Sequence, residues 1–180
     1  DHYSGLVVQP GPGSSGRARM FATAVPGLAQ LLSDELRAGG ATVTQLGFDG
    51  RADVVLFEAE PADRRSMLEL RLAEDVFAEI GRTLRSEGDR PNWITTRIWR
   101  PERVRRALAT RAALVRAAGK RTTYRVIVRV RQERSFLRTD LRREFDRAVT
   151  RDQPNWRRAD PAEREVLAME ASGSATPGCD

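Results

Sequence analysis

Apolar residues in the amino-terminal half recur with the periods of strands and helices in turn. The short apolar run Met20–Val25 predicts a strand, and the leucines of residues 28–36 recur at the spacing of one helix face. Gly39 then marks the end of that helix. The alternating segments 41–48 and 52–60 are typical of half-buried strands.

The remainder of this half completes a recognisable order of elements. Asp49-Gly50 lies between the alternating segments, and Asp-Gly favours a tight hairpin turn. Pro61 predicts the start of a second helix that includes Leu70–Leu72, and residues 74–82 predict a last strand. We therefore predict the α+β class, with a ferredoxin-like βαββαβ arrangement in which two helices lie on one side of an antiparallel sheet.

The carboxyl-terminal half predicts a smaller α/β layer. Residues 83–100 are rich in turn formers, and a helix is predicted from Pro101 to about Ala118. Residues 124–130 alternate apolar and basic side chains and predict a strand. Thr139 predicts the cap of the next helix, and residues 164–170 predict the final strand. The predicted organisation is a flexible leader (1–17), a ferredoxin-like domain (18–82), a linker (83–100), a second domain (101–171) and a flexible tail (172–180).

Positive charge is concentrated in the carboxyl-terminal half. Residues 1–82 carry 8 Arg and 12 Asp or Glu, whereas residues 83–180 carry 23 Lys or Arg and 13 Asp or Glu. Arg supplies 30 of the 31 basic residues, and a compositional bias explains that preference over Lys. A bias does not explain why the excess lies in one half. We therefore expect this half to meet a polyanion.

The candidate contacts to that polyanion follow from the strand and helix periods. The valines of residues 126–130 occupy one face of the strand, so its arginines share the other, and Arg143, Arg147 and Arg151 recur every four residues along the helix. Arginine binds phosphate oxygens through two parallel hydrogen bonds. We expect one continuous basic surface; its predicted contacts are Lys120, Arg121, Arg125, Arg129, Arg138, Arg143 and Arg147.

Phe136 is a candidate of a different kind. It precedes the predicted helix, whose amino end attracts phosphate groups, so its ring is placed to stack on an unpaired base. The alternative is that Phe136 fills the small core, and both interpretations stay open.

Other features of the sequence argue against several classes of site. The single cysteine, Cys179, and the single histidine, His2, exclude a disulfide framework, a zinc site of Cys and His, and any His-based catalytic pair. Glycine-rich cofactor turns do not follow a convincing strand, and the carboxylates are scattered among arginines. No apolar run reaches the roughly 18 residues of a membrane span. We expect a cytoplasmic chain that holds no metal, contacts no membrane and is not an enzyme by itself.

Three segments, in this order, resemble the amino-terminal part of the THUMP-domain RNA methyltransferases, which methylate guanine N2 in tRNA or ribosomal RNA. They are MFATAVPGLAQLLSDELRAGGA, ELRLAEDVFAEIGR, and YRVIVRVRQERSFLRTDLRREFDRAV followed by RRADPAEREV. The resemblance covers residues 20–170 and depends more on the order of the segments than on any single residue. It departs from the family in the loop, where Ser135 and Leu137 flank Phe136 in place of the family's Pro and Ser.

The resemblance implies a ferredoxin-like domain followed by a THUMP domain at residues 101–171, which together hold structured RNA. The RNA is expected to be tRNA, gripped at its acceptor-stem end, or ribosomal RNA. Methyl transfer from S-adenosylmethionine is expected in a separate catalytic domain that would follow, so no cofactor is expected in this chain. Two alternatives remain: a stand-alone adaptor that presents RNA, and a basic module that binds an acidic protein.

Overall fold

The computed structural model describes residues 2–4, 16–60, 66–67, 69–84, 87–114, 122–130, 136 and 138–175, with the backbone alone at 2–4 and 172–175. These residues form a mixed α and β structure, which agrees with the predicted class. Among them, no helix is both long enough and apolar enough to cross a membrane.

An antiparallel sheet of four strands forms most of the amino-terminal half. Its strands are β2 (Ala18–Ala24), β3 (Thr42–Phe48), β4 (Asp53–Ala59) and β5 (Asp75–Ala78), in the spatial order β5-β2-β4-β3. The predicted turn at Asp49-Gly50 joins β3 to β4, and Gly50 adopts a φ of 84°, in the left-handed region that suits glycine. The hairpin prediction is confirmed.

Helix α1 (Ala29–Ala38) covers one face of this sheet. Leu32 and Leu36 are fully buried against Val55 and Phe57 of β4. The carboxylate of Asp53 accepts hydrogen bonds from the amides of Gly27 and Ala29, at 3.0 Å and 2.8 Å, and so satisfies donors at the helix start. The first helix is therefore tied to the sheet both by its apolar face and by its amino end.

A parallel sheet in the order β8-β6-β7 forms the carboxyl-terminal half. Its strands are β6 (Thr123–Arg129), β7 (Arg157–Arg158) and β8 (Arg164–Ala175). The first part of β8 pairs with β6, and its last residues pair antiparallel with β3. Strand β1 (His2–Ser4) pairs with β8 as well. Because β8 pairs with both β3 and β6, it connects the antiparallel strands to the parallel ones.

Three helices accompany the parallel strands: α2 (Pro91–Ile98), α3 (Pro101–Leu114) and α4 (Arg138–Asp152). Leu141 and Phe145 of α4 are buried with Tyr124 and Val126 of β6, and Trp99 joins the same core. Helix α4 therefore packs on the face of β6 that carries Tyr124 and the valines. Because side chains alternate along a strand, this packing fixes which β6 side chains face α4 and which lie on the other side of the sheet.

Several predicted boundaries in the amino-terminal half are wrong. Leu70–Leu72 are not helical, and Ser66–Met67 are the only described part of the second helix, so the ferredoxin-like arrangement stays a prediction. Leu31, predicted on the buried helix face, is 54% exposed. The leader contains strand β1 at His2–Ser4, where a flexible segment was expected.

Boundaries in the carboxyl-terminal half also differ from the predictions. Residues 83–100, expected to be a turn-rich linker, contain α2, which Pro91 opens from an extended Arg90. Helix α4 begins at Arg138, so Thr139 lies inside the helix and does not cap it. Strand β8 continues through 172–175, which were expected in the flexible tail, while residues 176–180 lie outside the described residues.

Candidate nucleic-acid interface on helix α4

The outer face of α4 carries a stripe of arginines. Leu141, Phe145, Ala148 and Val149 occupy its buried face, which leaves the positions between them directed to solvent. Arg143, Arg147 and Arg151 are spaced four residues apart, so they follow one another at about 6 Å along the helix. Their side chains are 64%, 67% and 67% exposed. The stripe predicted from the sequence is confirmed as a surface feature.

A groove of about 540 Å³ runs beside this stripe. Arg158, on the short strand β7, also lines it, because β7 pairs with β6 at Tyr124. The Nη2 atom of Arg158 lies 3.0 Å from Oδ2 of Asp146, another lining residue. We call this groove the α4 groove; its lining residues are Thr139, Arg142, Arg143, Asp146, Arg147, Thr150, Arg151 and Arg158.

Acidic residues accompany most arginines of the α4 groove. Arg147 Nη1 lies 2.7 Å from Glu144 Oε1, and Arg143 Nη1 lies 3.9 Å from Asp140 Oδ1. Both are exposed pairs three residues apart on one helix, and such pairs contribute only about 0–1 kcal/mol. Arg142 is exposed and has no ion pair within the described part of the chain. The guanidinium groups therefore remain available to a polyanion at small cost.

Asp152 holds the carboxyl end of the stripe in place. Its Oδ2 accepts a hydrogen bond from the buried Trp99 Nε1 at 2.6 Å, and its Oδ1 accepts one from Arg151 Nε at 3.1 Å. Trp99 belongs to the core beneath α4, so this carboxylate joins the core to the groove. Arg151 is consequently oriented by a residue that the fold itself fixes.

The strand arginines Arg125 and Arg129 lie on the other face of the sheet. They alternate with Tyr124 and Val126, which are buried under α4, so their side chains point away from that helix. Arg125 is held by Glu165 of the neighbouring strand, with Nε 2.9 Å from Oε1, and its Nη1 lies 2.9 Å from Asp160 Oδ1. The hydrogen bond and charge of Glu165 raise the pKa of Arg125 above its ordinary value.

Arg129 faces a carboxylate that the hairpin buries. Asp49 Oδ1 accepts hydrogen bonds from the amides of Arg51 and Ala52, at 2.7 Å and 2.5 Å, while Oδ2 lies 3.8 Å from Arg129 Nη1. The Asp49 side chain is only 2% exposed, so Arg129 is its compensating charge. Both strand arginines thus act as structural ion-pair partners.

The expectation of one continuous basic surface is therefore wrong. Arg143 and Arg147 meet on the outer face of α4, whereas Arg125 and Arg129 lie on the opposite face of the sheet. Lys120 and Arg121 lie outside the described residues. Arg138 is exposed at the first residue of α4 but does not line the α4 groove.

Phe136 lies against the core beneath α4 and is partly buried there. This position fits the interpretation in which the ring fills the small core. Because the ring is also partly exposed, its stacking on an unpaired base stays a prediction.

The sequence did not reveal Arg158 as part of the site. It lies in the turn-rich segment after α4. Its position depends on the pairing of β7 with β6, and the local sequence does not predict that pairing. Arg151 belongs to the predicted stripe and Arg142 is next to Arg143 in sequence, but neither was included among the predicted contacts.

Within the described residues, His, Cys, Asp and Glu side chains do not gather in threes as a metal site requires. The carboxylates near the arginines act as ion-pair partners, as in the pairs given above. The comparisons with protein-family models, with curated proteins and with solved structures find no match to this chain.

Proposed function

We propose that this chain is an RNA-binding module that holds the phosphate backbone in the α4 groove. The observation that carries the proposal is the clustering of five arginines, Arg142, Arg143, Arg147, Arg151 and Arg158, around one groove. A polyanion that neutralises them releases its condensed counterions, which supplies favourable and salt-dependent binding free energy.

Regularly spaced, exposed guanidinium groups suit a regular chain of phosphates. Three of them follow the helix axis at about 6 Å intervals, comparable with the separation of neighbouring phosphates along one nucleic-acid strand. Arginine also offers the planar donor fork that phosphate oxygens accept. Contacts of this kind fix position and carry no sequence information. Recognition is therefore expected to follow RNA shape and unpaired ends.

The resemblance to THUMP-domain methyltransferases supplies the RNA class. On that basis we propose a ferredoxin-like domain followed by a THUMP domain, serving an RNA methyltransferase that acts on tRNA or ribosomal RNA. The S-adenosylmethionine and the catalytic residues would belong to a separate domain. A methyl-transfer assay on this chain alone, with labelled S-adenosylmethionine and tRNA, should give no product.

Two other functions use the same groove. A stand-alone adaptor would bind RNA equally well and present it to another enzyme. A basic interaction module would instead meet an acidic protein through the same exposed arginines. Polyglutamate separates this last function from RNA binding, because it matches the charge of an acidic protein without offering phosphates.

The test is binding of a tRNA acceptor minihelix by the wild-type chain and two charge-matched variants. The variant R143Q/R147Q/R151Q removes the α4 stripe. The control R37Q/R51Q/R71Q removes three exposed arginines from the amino-terminal half, including one in an exposed pair with Asp34. We expect the stripe variant to bind on the order of tenfold or more weakly, with the control close to wild type. Equal loss in both variants would contradict a localised site.

Two additional arms refine the result. Minihelices with and without the unpaired 3′ end test whether that end is gripped, and Phe136→Leu tests whether its ring stacks on a base. Competition by polyglutamate as strong as that by RNA would favour the acidic-protein alternative.

A further inference from the structure

A second group of exposed arginines lies where α2 meets α3. Arg100, Arg103 and Arg106 are exposed around the start of α3, whose buried side carries Val104 and Ala107. Arg103 and Arg106 are three residues apart, so they share one flank of the helix. None of these residues lines the α4 groove. The group therefore lies outside the α4 groove.

Because Gly81 has no side chain, Arg103 can lie against the nearby backbone of the same chain. A Cβ atom at Gly81 would stand 3.1 Å from Arg103 Nη1 and 2.9 Å from the Ile98 carbonyl oxygen. The same Nη1 donates a hydrogen bond to the Arg97 carbonyl oxygen at 3.2 Å. Arg103 is thus seated by backbone atoms, and among the described acids Glu79 is the one whose charge acts on it.

Strand β2 brings a fourth arginine to this surface. The amide of Glu79 donates a hydrogen bond to the Arg19 carbonyl oxygen at 3.0 Å, which sets Arg19 beside the segment that leads to Gly81. Acids offset part of this charge. Glu58 pairs with Arg19 at 3.8 Å, and Glu102 lies in the first turn of α3, whereas Glu79 is 6% exposed and bound to Arg82 at 2.5 Å.

The electrostatics agree with this geometry. Partial burial lowers the pKa of Arg103, and the neighbouring charges of Arg100 and Arg19 lower it further; the charge of Glu79 raises it, and Arg106 has the smallest effect, which lowers it. Arg19, Arg100 and Arg106 therefore all lie close enough to Arg103 to repel its charge. An anion placed between them would relieve that repulsion.

We infer that Arg19, Arg100, Arg103 and Arg106 form a second surface that contacts the phosphate backbone of the RNA. The inference rests on the proposed function, because it takes the same ligand to be RNA. It extends the footprint from one groove to two basic surfaces, built by α4 and by the junction of α2 and α3. We expect a large structured RNA such as tRNA to contact both surfaces, and a short single strand to be held by the α4 groove alone.

The test compares R100Q/R103Q/R106Q, called the junction variant, with R143Q/R147Q/R151Q, called the α4 variant, and with the control R37Q/R51Q/R71Q. Binding of a full-length tRNA transcript and of a short single-stranded RNA is measured for each, after thermal unfolding has shown that each variant is folded. We expect the junction variant to bind tRNA on the order of tenfold more weakly and the short RNA with nearly unchanged affinity. The control should retain wild-type affinity for both.

The outcomes separate the two proposals. If the α4 variant loses tRNA affinity and the junction variant does not, the second surface is overturned and the proposed function stands. If only the junction variant loses affinity, the second surface stands and the α4 groove is overturned. If neither variant loses affinity, both are overturned. In R143Q/R147Q/R151Q, competition with polyglutamate that removes the remaining tRNA binding as readily as unlabelled tRNA does would assign the surface at the junction of α2 and α3 to an acidic protein instead.

Discussion

Replacing Asp152 should change the stability of the fold and the affinity for RNA in opposite directions. Its carboxylate accepts the hydrogen bond of the buried Trp99 indole and also holds Arg151 at the edge of the α4 groove. The first contact stabilises the core. The second occupies a guanidinium group that we assign to RNA. A single substitution removes both.

The magnitudes follow from these contacts. Asp152→Ala leaves the indole N–H of Trp99, a residue 3% exposed, without its acceptor, which costs about 1–3 kcal/mol. Removing a negative charge from the last turn of a helix stabilises the folded protein by about 0.3–1 kcal/mol, because that end of the helix dipole is negative. The free energy of unfolding should therefore fall by the difference of these two effects, about 1.4 kcal/mol at their midpoints. Releasing Arg151 from an exposed pair worth about 0.2–1 kcal/mol should raise RNA affinity roughly 1.4- to 5-fold.

The assays are urea unfolding and minihelix binding on the same preparations. Asp152→Asn keeps an oxygen that can accept the Trp99 hydrogen bond, so it should lose less stability and gain a similar affinity. Asp34→Asn is the control, because Asp34 is an exposed acid paired with Arg37 at 3.7 Å, far along the chain from α4. Weaker RNA binding by folded Asp152→Asn would refute the electrostatic account of the groove. Equal stability of Asp152→Ala and Asp152→Asn would refute the role of the indole contact, because both variants lose the same charge at the helix end.

Three further predictions concern the fold. Gly81→Ala places a Cβ 2.9 Å from the Ile98 carbonyl oxygen and should lower the free energy of unfolding by about 1–3 kcal/mol in urea titrations; full stability would contradict this packing. Asp53→Ala removes the acceptor for the Ala29 amide and should cost about 1–2 kcal/mol, less in Asp53→Asn, with an equal loss in both counting against the cap. The pKa of Asp75 is raised, chiefly by burial, so protonation stabilises the folded state. The free energy of unfolding of the wild type, relative to that of Asp75→Asn, should therefore increase as the pH falls from above the raised pKa of the folded state to 3.8. If the two proteins show the same dependence of stability on pH, the prediction is contradicted.

Features that depend on neighbours in sequence could be predicted well. The Asp49-Gly50 hairpin and the helix at Leu32 and Leu36 follow from turn chemistry and apolar spacing, and both are observed. The arginine stripe of α4 follows from the same helical spacing, since burying Leu141 and Phe145 turns the arginines outward. Local rules therefore account for much of the amino-terminal sheet and for half of the site.

Features that depend on pairing between distant segments could not be predicted in the same way. Residues 172–175 read as a loose Ser- and Gly-rich tail, yet they form a strand because β3 offers them a pairing edge. Helix α2 was missed because Pro91 and Asn92 resemble a turn, although proline is well placed at the first residue of a helix. Arg158 lies at the site because β7 pairs with β6, which is distant in sequence.

The error about Arg125 and Arg129 has a different cause. The valine face of β6 was predicted to be buried, and the apolar face of α4 needed a surface on which to pack. Packing one on the other sends the strand arginines to the far side of the sheet from α4. The sequence contained both facts, and combining them would have separated the two sets of arginines.

The salt dependence of RNA binding tests the central claim most directly. Each phosphate contact contributes about 0.7–0.9 to the slope of the logarithm of the binding constant against the logarithm of salt concentration. If the α4 groove holds phosphates, R143Q/R147Q/R151Q should reduce the magnitude of that slope by about 2–3 for a minihelix, while R37Q/R51Q/R71Q leaves it unchanged. Equal slopes for wild type and both variants would contradict the account.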